Sequence, residues 1–420
     1  MSNLVKTNIE WVGYTQSNWK IGKILQFFYE GKNKNVGVKN KNLLSLSYGS
    51  IVEKDINTSE GLLPASFSTY NIVDQGDIII RPTDLQNDKV SLRTGLVKEK
   101  GIITSAYIDL KPYEGVNSNF FHKVLHAYDV CKVFYNMGSG VRQGIGFADI
   151  ANLVVFVPPL SEQKRIADFL DGKGAQIDEI TKDLEEKIDK LEDIKRSIIF
   201  ESVTKGIGCT NDLKDSHIPW IGVVPSNWKI RRGKYFLQEL SRKFDKEDEV
   251  ITCFRDGQVT LRRNRREEGF TVSDKEIGYQ GILAGDLVVH GMDGFAGAIG
   301  ISDSNGKGSP VLIVMDTSQN KKYLVYQLRT YAMMEVFASL STGIRVRSCD
   351  LNFRKLGELP YLLPPLSEQK RIADFLDGKC AQIDEITKAT RQEIETLKQY
   401  KQSLIYEYVT GKKEVPNEQD

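Results

Sequence analysis

The sixteen residues PPLSEQKRIADFLDGK occur twice without a change, at Pro158–Lys173 and Pro364–Lys379. Nothing else constrains this chain as strongly, because internal repetition decides the architecture before any local pattern does. The likeness runs on. Pro158–Lys182 and Pro364–Lys388 differ only where Gly174 becomes Cys380, and the offset of 206 holds without a gap to Thr204 and Thr410. Fainter echoes lie upstream. Trp11-Val-Gly and Ser17-Asn-Trp-Lys-Ile21 recur as Trp220-Ile-Gly and Ser226-Asn-Trp-Lys-Ile230, and Gly76-Asp-Ile-Ile-Ile recurs as Gly285-Asp-Leu-Val-Val, all at an offset of 209. Ser139-Gly-Val-Arg142 recurs as Thr342-Gly-Ile-Arg345, 203 residues on. Small changes of offset are what loop insertions produce. The order is variable block, repeat, variable block, repeat.

The repeat reads as a long helix. Pro-Pro stops the segment before it, and Ser161 is the expected N-cap, with Glu162 and Gln163 in the first turn. Ile166, Phe169 and Leu170 follow. After Gly174, Ile177, Leu184, Leu191 and Ile198 fall seven apart, flanked by Ile180, Ile188 and Ile194. The second copy carries Ile383, Thr390, Leu397 and Leu404, flanked by Ile386, Ile394 and Tyr400. A stripe this narrow needs a partner helix. The nearest partner is the other copy, in an antiparallel or crossing coiled coil. A helix of about 40 residues spans roughly 60 Å, so the pair is a spacer as well as a core. Two near-identical helices alternating with divergent blocks favour pseudo-twofold symmetry. The blocks themselves mix β-type runs (Asp77–Ile80, Leu287–His290, Gln258–Leu261) with helical ones (Phe120–Asn136, Lys321–Leu340), as compact α/β or α+β domains do.

Length alone predicts more than one domain. With 40% hydrophobic and 27% charged residues a sizeable core is available, and a formal net charge of +1 does not by itself mark a nucleic-acid binder. Five scattered cysteines without a CxxC pair suit a reduced, cytoplasmic protein rather than a disulfide framework or a zinc site. No signal-type N-terminus and no run of about 18 apolar residues is present, so no membrane span is expected.

A search for catalytic residues finds little. His122 and His126 are four apart, but the glutamate of a metalloprotease helix is missing. Gly138–Gly146 is glycine-rich without the Gly-Lys-Ser/Thr ending of a P-loop. Phe295–Gly300 is better explained as a hairpin with glycine turns than as a cofactor cradle. Binding signals are stronger. Arg262, Arg263, Arg265 and Arg266 place four guanidinium groups within five residues. They suit a solvated loop, or phosphate and guanine contacts. The Gly-x-Arg elements put Arg142, with Gln143, and Arg345, with Arg347, just before each repeat. Each suits a structural turn or a close approach of backbone and guanidinium to a ligand. Lys32, Asn33, Lys34, Lys39 and Lys41 form a looser basic stretch.

PPLSEQKRIADFLD, twice, each time after a Ser/Thr-Gly-x-Arg element and leading into a heptad helix, resembles the specificity subunit of type I restriction-modification enzymes. The resemblance covers essentially the whole chain. It implies an α+β chain with target-recognition domains at 1–157 and 206–363, and conserved helical spacers at 158–205 and 364–420 forming an antiparallel coiled coil. It implies a cytoplasmic, DNA-reading subunit without catalysis and without a cofactor of its own. S-adenosylmethionine belongs to two modification subunits that methylate adenine at N6, and ATP and Mg belong to two restriction subunits. Each domain reads one half of a split, asymmetric double-stranded target, with half-sites about one duplex turn apart. Arg142, Gln143, Arg262, Arg263, Arg265, Arg266, Arg345 and Arg347 are the expected DNA contacts. Glu162, Gln163, Arg165 and Ile166, with Glu368, Gln369, Arg371 and Ile372, are the expected docking residues. A coiled-coil adaptor that does not bind DNA, or a stand-alone methyltransferase or nuclease, are the rival readings.

Overall fold

The structure is a computed structural model and describes residues 4–57, 66–85, 92–137, 144–208, 212–265, 276–340 and 350–416. Both repeats are helices throughout. The first runs over Leu160–Lys205, 46 residues, and the second over Leu366–Val409, 44 residues. They begin two residues earlier than a Ser161 cap requires. Pro159 O accepts from Glu162 N and Gln163 N at 2.9 and 3.0 Å, and Pro365 O does the same for Glu368 N and Gln369 N. Ser161 therefore sits exposed inside the first turn. The side chains of Gln163 and Gln369 turn back instead, each Nε2 donating to the preceding proline carbonyl, Pro158 O or Pro364 O, at 2.9 Å. A proline has no N–H to be capped, so the glutamine satisfies a carbonyl of the approach strand.

The chain divides into two compact units. One comprises Met1–Glu185 with Arg391–Asp420, the other Glu186–Thr390. Each unit thus holds half of each long helix, and within each the two halves run antiparallel. In the first unit Phe169 packs on Tyr408, with ring centroids 4.8 Å apart, while Lys401 Nζ reaches Asp178 Oδ1 at 2.6 Å. In the second unit Lys195 Nζ reaches Asp384 Oδ1 at 2.5 Å. Lys195 and Lys401 are repeat mates, as are Asp178 and Asp384, so the same ion pair is made twice.

The seam follows steps of three and four. Ile177, Ile383, Thr387, Thr390, Ile394, Leu404 and Tyr408 are buried, and Leu184, Ile188, Leu191, Ile198 and Leu397 are half-buried. Four residues expected beside it face solvent: Ile180 (46% exposed), Ile194 (49%), Ile386 (44%) and Tyr400 (53%). They lie three beyond Ile177, Leu191, Ile383 and Leu397, which turns them off the stripe.

The two blocks share one topology. In the first, an antiparallel sheet has the order Phe28–Glu30, Ile108–Pro112, Ile78–Ile80, Thr94–Leu96; in the second the order is Leu237–Glu239, Leu312–Thr317, Leu287–His290, Ile299–Ile301. Val154–Val157 pairs with Lys20–Lys23, and Pro360–Leu363 with Lys229–Arg232, so each block closes just before its repeat begins. The hairpin expected around Phe295–Gly300 forms, with Ile299–Ile301 on Leu287–His290.

One helix in each block, Ser118–Val130 and Lys321–Met333, is N-capped by Asn117 or Asn320. Both end before a left-handed residue, Lys132 or Glu335, each with φ 58°. This breaks the longer runs expected over Phe120–Asn136 and Lys321–Leu340. Both helices grip the same repeat aspartate. Asn119 and Lys123 hold Asp171; Lys322 and Tyr326 hold Asp377. Tyr128 and Tyr331 also donate to repeat-equivalent carbonyls, Val154 O and Pro360 O.

Candidate nucleic-acid interface

One of the two central strands of each sheet ends at an equivalent position in the two blocks. In the first block Ile78–Ile80 leads to Arg81 and Pro82. Arg81 N donates to Arg93 O at 2.8 Å, and Ile145 N donates to Pro82 O at 3.0 Å. In the second block His290 N donates to Ala298 O, and Leu351 N to Gly291 O, both at 3.0 Å. Arg81 corresponds to His290, Pro82 to Gly291 and Ile145 to Leu351. Gly291 is needed there, because a Cβ would stand 2.8 Å from Leu351 O. Each strand end is thereby tied to a residue a few positions further along the chain than the predicted arginine element, Ile145 or Leu351. Arg142, Gln143, Arg345 and Arg347 themselves lie outside the described residues, as does Arg266.

In the second unit this strand end borders a groove of about 600 Å³, lined by Thr252, Phe254, Asp256, Arg262, Arg265 and His290 among others. The predicted arginines are built into it unequally. Arg265 forks onto Asp256, Nη1 to Oδ1 at 2.8 Å and Nη2 to Oδ2 at 2.7 Å, with its guanidinium 4.4 Å above the Phe254 ring. Burial pushes the Asp256 carboxyl up, but the hydrogen bond from Arg265 and the nearby guanidiniums outweigh it and hold the group below the usual carboxylate range. Arg262 Nε donates to Thr252 Oγ1 at 3.1 Å. Arg263 pairs with Glu249 at 2.9 Å in an exposed ion pair away from the groove lining. Arg255, also at the groove, pairs with Asp293 at 2.9 Å.

His290 is the residue that sequence reasoning missed. Its Nδ1 accepts from Asp293 N at 3.0 Å and Met292 N at 3.3 Å. Burial lowers its pKa, with Arg255 adding to the effect and Asp293 opposing it, so the ring is held neutral. A signal was available, since Arg81 and His290 each follow the recurring Gly-Asp strand. Two unlike polar residues at one place in a repeated plan mark where the copies do different work.

The basic stretch of the first block is tied into its own surroundings. Lys32 pairs with Glu30, and Lys34 donates to Thr69 O and Asn71 Oδ1. Of the expected docking residues, Gln163, Ile166, Gln369 and Ile372 are buried within their own units, where they cap and pack. Glu162 and Glu368 are half-buried, and Glu162 accepts from Trp19 Nε1 at 3.3 Å. Arg165 and Arg371 are exposed, and Arg165 Nη2 donates to Val415 O. Among the described residues no group of three or more His, Cys, Asp or Glu is placed to hold a metal ion, and no helix is long and apolar enough to cross a membrane. Cys131, Cys253 and Cys380 are free thiols, and burial pushes Cys253 up to about 12.

Comparison with known proteins gives one consistent picture. Residues 66–190 match the family model for the type I restriction modification DNA specificity domain. The type I restriction enzyme MjaVIII specificity subunit of Methanocaldococcus jannaschii is 23% identical over 342 residues, covering 76% of each chain. The EcoBI specificity subunit of Escherichia coli is 34% identical over 131 residues, 30% of this chain and 26% of that one. Among solved structures, a chain of a type I R-M system superposes with a TM-score of 0.69 at 14% identity, over 94% of this chain and 98% of that one. The HsdS subunit from Thermoanaerobacter tengcongensis superposes at 0.52 with the same identity and coverage.

Proposed function

The chain belongs to the specificity subunits of type I restriction-modification enzymes, and from that premise we propose that its two units each read one half of a bipartite, asymmetric DNA target. It acts as the DNA-recognition subunit. The observation that carries the division of labour is the duplicated strand end, one backbone frame with Arg81 in the first copy and His290 in the second. Base edges are told apart by the donors and acceptors that side chains bring to the groove, while phosphate contacts set position. A shared frame with unlike residues at one point reads two different sequences. Arg142, Gln143, Arg345 and Arg347 contact DNA, and Arg262, Arg263, Arg265 and Arg266 do so in the second unit only, Arg263 and Arg265 at the cost of their present carboxylate partners.

The chain does no chemistry of its own. Two modification subunits carry S-adenosylmethionine and methylate adenine at N6, and two restriction subunits carry ATP and Mg. The modification subunits dock on the repeated helices, where Arg165 and Arg371 and the exposed apolar residues give each unit a like face. Ile180 and Tyr400 belong to the first unit, and Ile386 and Ile194, their repeat mates in turn, to the second. The helices set the gap between half-sites. Mapping N6-methyladenine genome-wide should show a two-part motif that vanishes when this chain is removed. Inserting one heptad after Leu191 should then lengthen the gap and leave both halves unchanged. A motif that survives removal of the chain would sink the recognition role; a gap that ignores the insertion would sink the spacer.

A further inference from the structure

We propose that Tyr48, at the tip of a hairpin in the first unit, is a DNA-contacting residue that lays its ring on the apolar surface of a base in that unit's half-site. The inference deepens the DNA-reading function proposed above and rests on it. It starts from the turn. Leu43–Ser47 and Ser50–Lys54 pair in register up to Ser47 and Ser50, so only Tyr48 and Gly49 join them. Both have positive φ, 47° and 80°, in a two-residue turn that ordinarily takes Asn-Gly. A tyrosine is an outlier in that conformation, because its Cβ crowds the backbone. The side chain is 88% exposed, so packing within the unit does little to offset the strain. A strained residue that its own fold hardly uses points to a function.

The fold sets this tip beside the duplicated strand end. Leu46 and Ile51 close over Gly95, where a Cβ would stand 2.7 and 2.9 Å from their Cδ1 atoms. A Cβ on Gly49 would stand 2.9 Å from Leu92 Cδ1. Leu92 precedes Arg93, whose carbonyl accepts from Arg81 N. The second unit lays its own hairpin, Ile251–Cys253 with Val259–Leu261, on the equivalent strand. Gly300, the counterpart of Gly95, lies against Gly257 O, and a Cβ on Gly297, the counterpart of Leu92, would stand 2.9 Å from Arg255 O. There the turn gives Phe254, Arg255 and Asp256 to the groove that His290 also lines. Tyr48 thus occupies, in the first copy, the place from which turn residues line the candidate interface in the second.

Ser47, Tyr48, Gly49 and Ser50 carry no charge, so the tip does not hold phosphates by ion pairing. A two-stranded ribbon fits the major groove, where the thymine methyl is an apolar group at the base edge, and a parted base step exposes a ring face. Both are apolar base surfaces that suit a phenol ring.

The test uses the complex of this chain with its modification subunits, on duplexes carrying the target found by mapping N6-methyladenine. Tyr48→Asn keeps a residue the turn favours and removes the ring; Tyr48→Phe keeps the ring and removes the hydroxyl. The asparagine variant should bind the target about tenfold or more weakly, with its thermal midpoint not lowered and the slope of log Kd against log salt unchanged. The phenylalanine variant should stay within about twofold of wild type. Tyr48→Gly, which the turn also accepts, should repeat the asparagine result. Single replacement of thymines by deoxyuridine, in the half that changes when the first block is exchanged, separates the two sources. One position that weakens the wild type but not Tyr48→Asn identifies the methyl; a ring-dependent loss with no such position identifies the base face, and either upholds the contact. Unchanged affinity in Tyr48→Asn, an equal loss in Tyr48→Phe, an altered salt slope, or a loss traced to weaker assembly with the modification subunits would each overturn the proposal. A wild-type complex that binds every duplex alike would instead bring down the DNA-reading function on which it stands.

Discussion

The two units hold the same strand end by different means. In the first, Arg93 is fully buried beneath Arg81. Its guanidinium donates to Thr83 O at 2.6 Å and Asp84 O at 3.0 Å, and its backbone N–H goes to the Asp129 carboxylate. In the second, the equivalent residue is the buried Ala298, and the strand end is held by main-chain contacts at Gly291 and by the imidazole of His290. The main-chain bonds of the frame are the same in both; the side chains that brace it are not. A frame made of backbone hydrogen bonds tolerates changed side chains, because its donors and acceptors belong to no particular residue.

Four measurements break or sharpen that contrast. Arg93→Ala should cost the first unit about 3–5 kcal/mol, because it leaves the buried carbonyls of Thr83 and Asp84 without their donors and empties a fully buried side-chain volume. A thermal midpoint unchanged in the variant would show that Arg93 braces nothing.

The second concerns acid. His122 and His126 lie on the helix of the first unit where the second carries Val325 and Arg329. Burial, aided by each other and by Lys123, pushes His122 down to about 3; burial, then Lys123 and Lys401, pushes His126 down to about 4. Both pKa values are depressed below the ordinary 6.5, so the neutral rings stabilise the fold fully above pH 6.5. That contribution is lost as pH falls towards 4. Replacing both by glutamine should therefore narrow the wild-type advantage by about 4 kcal/mol, roughly 2 for each ring, at pH 5 relative to pH 7.5. A stability difference that stays flat across that window would show that the rings do not titrate.

Third, repeat mates need not be equal. Gln369 also donates to Gln319 Oε1 and accepts from Asn320 N, whereas among the described residues Gln163 makes only its proline contact, its Oε1 having no partner there. Gln369→Leu should cost about 1–3 kcal/mol and Gln163→Leu about 1 kcal/mol or less, by urea unfolding. Equal costs would mean the extra bonds contribute nothing. The smallest effect should come from the twin ion pairs. Asp178→Asn and Asp384→Asn should each cost about 0.2–1 kcal/mol, alike in size and erased by high salt, since both pairs are largely exposed. Unequal losses would show that the repeats sit in unlike environments.

Much of the fold was legible because it was written twice. The long helices, their seam at Ile177, Ile383 and Leu404, and the Gly-Asp strands that lead into Arg81 and His290 all repeat at nearly constant offset. Each copy checks the other. The helix starts were misread at Ser161, because a proline carbonyl that takes the first helical bonds looks no different in sequence from one that does not. Ile180, Ile194, Ile386 and Tyr400 were grouped with the seam because an apolar residue three positions on fits a broad helical stripe as well as a narrow one. Half of the candidate interface was hidden for a different reason. Arg262 and Arg265 announced themselves as a cluster, but nothing local reveals that Arg265 is spent on Asp256 or that His290 comes beside them.

By itself, then, the sequence determined what is periodic: two blocks, two helices, one plan, and the family it marks. Periodicity is a property of neighbours along the chain, and it survives without knowing where the chain goes. Tertiary structure alone decided which halves of the helices share a unit, and which carboxylate Arg265 and Arg255 each find. It also decided that an isolated histidine, 28 residues from Arg262, is turned by two backbone N–H groups into a donor facing the same groove. Those outcomes depend on distances in space between residues far apart in sequence, and pairing of buried charge is settled only when the surrounding chain has removed the water.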